Sequence, residues 1–266
     1  MKHHSNRYTT IASKYTLTLI ALFLSSLGFY SCEDDENSNP QARLVPYVEV
    51  EKPYQTKIMS LGASRVQGAR PNFESFRYEL WKELIANSKS FEFVGTQLDT
   101  AKYNSFMGSL FDRDHEGRGG YTSAQILLGI NNWLRLLPDT PNVVLFSSPG
   151  ANDILIGLDY NQALFNINKI IDTIQHYNPK VTIVMEQLSP GLSTFMSTRQ
   201  SNELSQMQQD VYSIANVKTT SSSRVIPVDM YTGFSDSLLA DNVHYNVEGA
   251  KFIARRYFTV LDSLLE

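Results

Sequence analysis

The sequence has 266 residues, of which 42% are hydrophobic and 19% are charged, and it predicts one sizeable globular domain, with two domains as an alternative. Its formal charge is −4, and no basic stripe runs along it, which argues against nucleic acid as a partner. The one cysteine, Cys32, excludes an internal disulfide.

Residues 1–31 have the pattern of a secretory signal. Lys2, Arg7 and Lys14 form a basic region, and the following segment, Tyr15–Tyr30, carries no charge. This segment is shorter than the roughly 20 residues that a membrane-spanning helix needs, although an uncleaved anchor is an alternative. Removal of the leader would change the formal charge from −4 to −7, because three positive charges and no negative charge would be lost.

Cys32 directly follows this apolar segment, and its position resembles that of the acylated cysteine in bacterial lipoproteins. The preceding residues, Phe29-Tyr30-Ser31, are bulkier than usual there, so a chance cysteine after an ordinary signal is the alternative. The acidic stretch Glu33–Pro40 cannot bury apolar area, and we expect residues 32–44 to form a disordered tether. The leader therefore predicts a protein of the bacterial cell envelope, held to a membrane by a lipid and facing the periplasm or the outer surface.

From residue 45 to residue 266, short apolar strands alternate with amphipathic helices. The predicted strands are Lys57–Leu61, Phe91–Gly95, Val143–Phe146, Val181–Met185 and Val225–Val228. The predicted helices begin at Phe73, begin near Thr122 and end before Pro138, run from about Leu164 to Asn178, and cover Arg199–Ala215 and Val247–Leu265. This alternation predicts an α/β fold of three layers, α/β/α, with a five-stranded parallel sheet.

Four polar or glycine-containing loops are predicted at one edge of that sheet, where ligands of such folds bind. The first presents Ser64 after Gly62, at the end of a strand. The others are His115–Thr122, Pro149–Asp153 and the loop that carries Asp241 and His244. An Asp and a His three residues apart can bond each other, which would orient the imidazole toward a hydroxyl.

These stretches resemble the SGNH (GDSL-type) hydrolase superfamily, whose fold is flavodoxin-like. Its four marks occur in order: Gly62-Ala63-Ser64, Gly120, Gly150-x-Asn152-Asp153 and Asp241-x-x-His244. The resemblance is closest to the carbohydrate esterases of family three, which include acetyl xylan esterases. The matching stretches are Phe76–Trp81, Phe91–Gln97, His115–Gly117 and Gly120–Ile126.

The resemblance implies a role for each marked residue. Ser64 would be the nucleophile, His244 the general base and then acid, and Asp241 the residue that orients His244. The backbone N–H groups of Ser64 and Gly120, with the side-chain amide of Asn152, would form the oxyanion hole. No cofactor is implied, and we expect no metal, because His115-Glu116 lacks a second histidine at zinc-binding spacing.

One residue departs from the superfamily pattern, since Ala63 stands where an Asp is usual. The expected function is removal of short acyl groups, mainly acetyl, from hydroxyls of a polysaccharide or oligosaccharide. The alternatives are a catalytically weak carbohydrate-binding relative and a lipase or thioesterase. The residues that could stack on a sugar ring, or simply pack within loops, are Tyr121, Phe195, Phe234 and Tyr245.

Overall fold

The structure is a computed structural model that describes residues 55–265. The predicted signal (1–31), the tether (32–44) and Cys32 lie outside the described residues, as does the predicted start of the domain at residue 45. These expectations therefore stay predictions.

The described chain forms a mostly parallel sheet of seven strands. Their bounds are β1 Thr56–Gly62, β2 Phe91–Val94, β3 Gln97–Leu98, β4 Asp114–Gly117, β5 Val143–Phe146, β6 Thr182–Gln187 and β7 Arg224–Asp229. The order is β3-β4-β1-β5-β6-β7. β1 is central: β5 lies along one edge, while β2 pairs with the first part of its other edge and β4 with its last two residues.

Helices cover both faces of this sheet. Their bounds are α1 Ser64–Gln67, α2 Arg77–Ala86, α3 Ser123–Leu136, α4 Ala151–Ile156, α5 Tyr160–Tyr177, α6 Thr198–Lys218 and α7 Val247–Leu261. Neighbouring residues of β1 enter opposite cores: Met59 packs with the layer of α3, α5 and α6, and Ile58 packs with the layer of α2 and α7. The three-layer α/β/α prediction is confirmed.

The predicted number of five strands is wrong, because β3 and β4 also join the sheet. β4 has the sequence Asp-His-Glu-Gly, which contains no apolar run, and β3 has only two residues. β4 runs parallel to β1, whereas β3 is antiparallel to β4. The predicted loop His115–Thr122 therefore begins inside a strand.

Several predicted boundaries hold and others do not. Thr122 begins α3 with a capping box, in which its side chain accepts from the N–H of Gln125 and its own N–H donates to the Gln125 side chain. The helix expected from Phe73 instead begins at Arg77. The segment before it forms bridges, Ala69 with Phe73 and Glu74 with Tyr245, which hold it out of the helix.

Two predicted loops contain short helices. Ser64 is the first residue of α1, a single turn, rather than part of an irregular turn. The loop Pro149–Asp153 runs into α4, which begins at Ala151 after Gly150 in the left-handed conformation (φ 74°). Among residues 55–265, no helix is both long and apolar enough to cross a membrane.

Candidate active site

Ser64 is presented at the carboxyl end of the central strand. β1 ends at Gly62, and α1 turns back over β4. This close packing needs Gly117, because a Cβ there would lie 2.4 Å from the backbone nitrogen of Gln67. The Ser64 side chain is thereby fixed at the sheet edge, with its Oγ 2.8 Å from Nε2 of His244.

Asp241 lies on the other side of the His244 ring. Nδ1 of His244 is 2.7 Å from Oδ2 of Asp241, and Oδ1 accepts the backbone N–H groups of Val243 (2.9 Å) and His244 (2.8 Å). Partial burial raises the pKa of Asp241, but the bond from the Val243 N–H and those from His244 outweigh it and hold the pKa below its ordinary value. The structure therefore joins three of the predicted residues in one hydrogen-bonded chain, Ser64–His244–Asp241.

Arg65, which the sequence analysis did not single out, holds the loop that carries Asp241 and His244. Its Nε donates to the carbonyl of Val243 (2.8 Å). Its other nitrogens donate to the carbonyls of Ser189 (2.9 Å) and Pro190 (3.1 Å), and its guanidinium lies 4.7 Å from the Tyr245 ring centroid. The residue that follows the serine thus fixes the backbone that precedes the histidine.

Phe73 was also missed as a site residue, because its spacing suggested a place on the α2 stripe. Its ring stacks on the imidazole of His244, with centroids 3.8 Å apart and planes inclined by 10°. The next residue, Glu74, donates its backbone N–H to the carbonyl of Tyr245 (2.8 Å). The segment between α1 and α2 therefore braces both the ring of His244 and the backbone beside it.

The expected oxyanion donors come from three elements. Asn152 lies in the first turn of α4 and donates one amide hydrogen to the carbonyl of Tyr121 (2.8 Å), which leaves its second hydrogen available. Gly120 has a left-handed backbone (φ 77°), and its loop is tied to the end of β1 by the N–H of Arg118 on the carbonyl of Gly62 (3.0 Å). Within residues 55–265, the backbone N–H groups of Ser64 and Gly120 have no acceptor.

Asp153 faces away from this site. Its carboxylate accepts the N–H (2.8 Å) and hydroxyl (2.7 Å) of Ser123, the first residue of α3. A carboxylate at a helix N-terminus is stabilised by the positive end of the helix dipole. Asp153 therefore fixes α4 against α3, and with it the position of Asn152.

A buried acid, Glu186, supports the floor of the site. It lies on β6 and is fully buried, and it accepts the N–H (2.6 Å) and hydroxyl (3.0 Å) of Ser148 together with the hydroxyl of Tyr257 (2.8 Å). Burial raises the pKa of Glu186 despite these bonds and the nearby charge of Arg65. Ser148 has a positive φ of 48°, which is uncommon for a residue other than glycine, and its bonds to Glu186 hold it there.

A small cavity of about 40 Å³ opens beside Ser64 and Asn152. Its apolar walls are formed by Ala151, Ile154, Leu155, Met196 and Leu204. The cavity is therefore small and mostly apolar.

The four aromatic candidates for sugar stacking occupy different environments. Tyr245 is completely buried, so the interpretation as a stacking platform is wrong for this residue. Tyr121 and Phe234 are partly buried against the two cores, whereas Phe195 is 46% exposed. Among the described residues, no group of three or more His, Cys, Asp or Glu side chains is placed to hold a metal ion.

A sequence model described as the GDSL-like lipase/acylhydrolase family matches residues 91–252, more than half of the chain. The chain belongs to this family. It is therefore a carboxylic ester hydrolase of the SGNH type, as its sequence predicted. The matched region contains Gly120, Asn152, Asp241 and His244 and begins after Ser64.

Solved structures of several esterases have a similar fold. A family 3 carbohydrate esterase from Clostridium thermocellum is 28% identical, with a TM-score of 0.64 over 80% of this chain and 100% of its own. A family 3 carbohydrate esterase from Talaromyces cellulolyticus is 24% identical, with a TM-score of 0.68 over 79% and 98%. An acetyl xylan esterase, AlAXEase, is 16% identical, with a TM-score of 0.58 over 77% and 99%. No curated protein sequence matches the chain.

Proposed function

We propose that this GDSL-family hydrolase removes short acyl groups, mainly acetyl, from carbohydrate hydroxyls through a Ser64–His244–Asp241 triad and an acyl-enzyme. The observation that carries the proposal is the hydrogen-bonded chain from Ser64 to Asp241 at the mouth of a small apolar cavity. A carbohydrate-binding relative without catalysis would have no need of this chain.

The reaction begins when Nε2 of His244 takes the proton of the Ser64 hydroxyl as the oxygen attacks the ester carbonyl. Asp241 keeps the imidazole in the orientation that points Nε2 at Ser64 and stabilises the imidazolium. His244 then gives its proton to the leaving alcohol, and the acyl group stays on Ser64. Water activated by His244 attacks this acyl-enzyme, releases the acid and restores the hydroxyl.

The oxyanion of each tetrahedral intermediate needs fixed donors. The free N–H groups of Ser64 and Gly120 and the second amide hydrogen of Asn152 supply them in this proposal. Because Asn152 is held by the Tyr121 carbonyl, its amide is oriented before the substrate binds. Removal of one such donor commonly lowers kcat by about 10²–10³-fold.

The cavity supports a short acyl group. The space beside Ser64 is small and its walls are mostly apolar, which suits a short acyl group better than a long chain. The carbohydrate part of the proposal is supported by similarity to the family 3 carbohydrate esterases.

The purified chain should be tested on aryl acetate, butyrate and octanoate and on acetylated xylan. The rate should fall stepwise along the three aryl esters, and acetate should be released from xylan. A rate that rises with chain length, or release of fatty acid from lipid but no acetate from xylan, would favour a lipase or thioesterase instead.

We further propose that the enzyme is anchored in the bacterial cell envelope through acylated Cys32. The support is the lone cysteine between an apolar segment and an acidic stretch. Each buried lipid methylene contributes about 0.8 kcal/mol, so two or more chains anchor a protein stably. Fractionation of Cys32→Ala should move the protein out of the membrane pool, and a variant that stays there would contradict the anchor.

A further inference from the structure

The cavity beside Ser64 adjoins a second, larger depression. This surface groove has a volume of about 440 Å³, and its walls include Pro190, Tyr231 and Phe234 as well as polar side chains of Ser193 and Asp236. Three residues line both spaces: Gly191, Met196 and Leu204. They form the wall between the small cavity beside Ser64 and a groove that could hold a much longer chain.

Met196 is the residue of this wall whose side chain lies in a loop and outside the fully buried core. Gly191 has no side chain to remove, and a Cβ there would lie 3.1 Å from Sδ of Met196, so the thioether packs against this glycine. Leu204 is only 8% exposed and belongs to the core under α3, α5 and α6. Met196 lies in the loop before α6, is partly buried, and is attached through its backbone N–H to the carbonyl of Leu192 (3.0 Å).

We propose that Met196 limits the acyl chain length that this enzyme accepts. Its side chain closes the cavity at the wall shared with the groove, and a long acyl chain has to displace it. This inference rests on the proposed function, since it takes the cavity beside Ser64 as the acyl site. Met is unbranched and fills irregular gaps by adapting its rotamer, so truncation opens the wall without rebuilding the core.

The groove is suited to hold the end of a long acyl group that passes through the opened wall. Its apolar surface, from Pro190, Tyr231 and Phe234, can cover methylenes, and its polar rim keeps the far end of the groove in contact with water. Each methylene accommodated in an apolar pocket changes specificity by roughly 10–200-fold. Joining the two spaces should therefore change the chain-length preference more than any change confined to the cavity.

The test compares kcat/KM for aryl octanoate and aryl acetate in the wild type, Met196→Ala and Met196→Leu. Met196→Ala should raise the octanoate-to-acetate ratio of kcat/KM by at least about tenfold. Met196→Leu, which keeps the wall closed, should retain the wild-type ratio. Met196→Ser provides a second opening variant, and thermal unfolding shows that each variant is folded.

The matched control is Leu155→Ala, which enlarges the cavity at a wall that the groove does not share. It should improve butyrate hydrolysis but leave octanoate poor. The role of Met196 is overturned if the octanoate-to-acetate ratio stays at the wild-type value in both opening variants, or if it rises equally in Leu155→Ala. In either case, acetate hydrolysis by the wild type would still support the proposed function. A folded wild type that hydrolyses none of the esters overturns both.

Discussion

Phe73 lies face to face with His244, at a centroid distance of 3.8 Å and an interplanar angle of 10°. The phenyl ring covers one face of the imidazole, while Asp241 and Ser64 occupy its two nitrogens. A cation over an aromatic face is stabilised by the ring quadrupole. Phe73 is therefore placed both to orient the imidazole and to stabilise its protonated form during acyl transfer.

Phe73→Ala should lower kcat on aryl acetate by about 3- to 10-fold, since a stacked aromatic pair contributes about 0.5–1.5 kcal/mol. KM should change little, because Phe73 acts through His244. Phe73→Tyr should restore the rate, since it keeps the ring face. Phe165→Ala, at a 54% exposed ring on α5, is the control. A variant Phe73→Ala with normal kcat would show that the stack has no part in catalysis.

Arg65→Lys should reduce both activity and stability. The guanidinium donates to carbonyls of Val243, Ser189 and Pro190 from three nitrogens, a fork that one ammonium group cannot reproduce. Each hydrogen bond to a charged group contributes about 1.5–3 kcal/mol, so the free energy of unfolding should fall by at least that amount. Denaturant unfolding measures the loss of stability, and kcat/KM measures the loss of activity. Arg135→Lys, at an exposed arginine on α3, is the control. Unchanged kcat/KM in Arg65→Lys would contradict the positioning role.

Ala63→Asp should leave the rate equal or higher and raise stability. Ala63 is the N-cap of α1 and makes no side-chain cap bond. An Asp there can accept a backbone N–H from the first turn, an interaction of about 1 kcal/mol. Ala63 is partly exposed, so the added carboxylate would not be stranded in the core. Ala63→Asn can cap the helix without adding a charge, so it separates the effect of capping from that of charge. A stable but inactive Ala63→Asp would count against this account.

His115 should make the stability of the domain depend on pH. Burial, followed by the positive charge of Arg77, lowers the pKa of His115 to about 3 from an ordinary value of 6.5. Between these values the unfolded chain binds a proton that the folded protein does not. The stabilising contribution is therefore fully present above about pH 6.5 and is lost as the pH falls toward 3.

The measurement for His115 is the free energy of unfolding at several pH values, in the wild type and in His115→Asn. Asn can still accept the N–H of Gly117, which now donates to Nδ1 of His115 (3.0 Å). The variant should have lower stability near neutral pH and a shallower decline in acid. The difference between the two curves removes contributions from other groups, and parallel curves would show that His115 is not responsible.

The sequence was most informative where local patterns decide structure. The four marked stretches lie at one sheet edge because each follows a strand or precedes a helix, and parallel strands bring such ends together. The Asp241–His244 spacing was enough to predict their contact, since both belong to one loop. Thr122 and Pro138 bounded α3 for similarly local reasons.

Residues that act through distant contacts could not be found in this way. Phe73 fits the α2 stripe, but the bridges of Ala69 with Phe73 and of Glu74 with Tyr245 hold it out of the helix and beside His244. Arg65 is 178 positions from the carbonyl it binds, and Glu186 is 38 positions from Ser148. β4 was missed because its burial comes from Val66 and Gln67 packing over Gly117, not from an apolar run of its own.

The central claim is that Ser64, His244 and Asp241 act as one catalytic unit. It is tested most directly by kcat on aryl acetate for Ser64→Ala, His244→Ala and the double variant, each confirmed as folded. Each single variant should lose most of the turnover, by about 10⁴-fold or more, and the double variant should be little worse, because removing one member disables the others. A double loss equal to the product of the two single losses would show that the residues act independently and would contradict the triad.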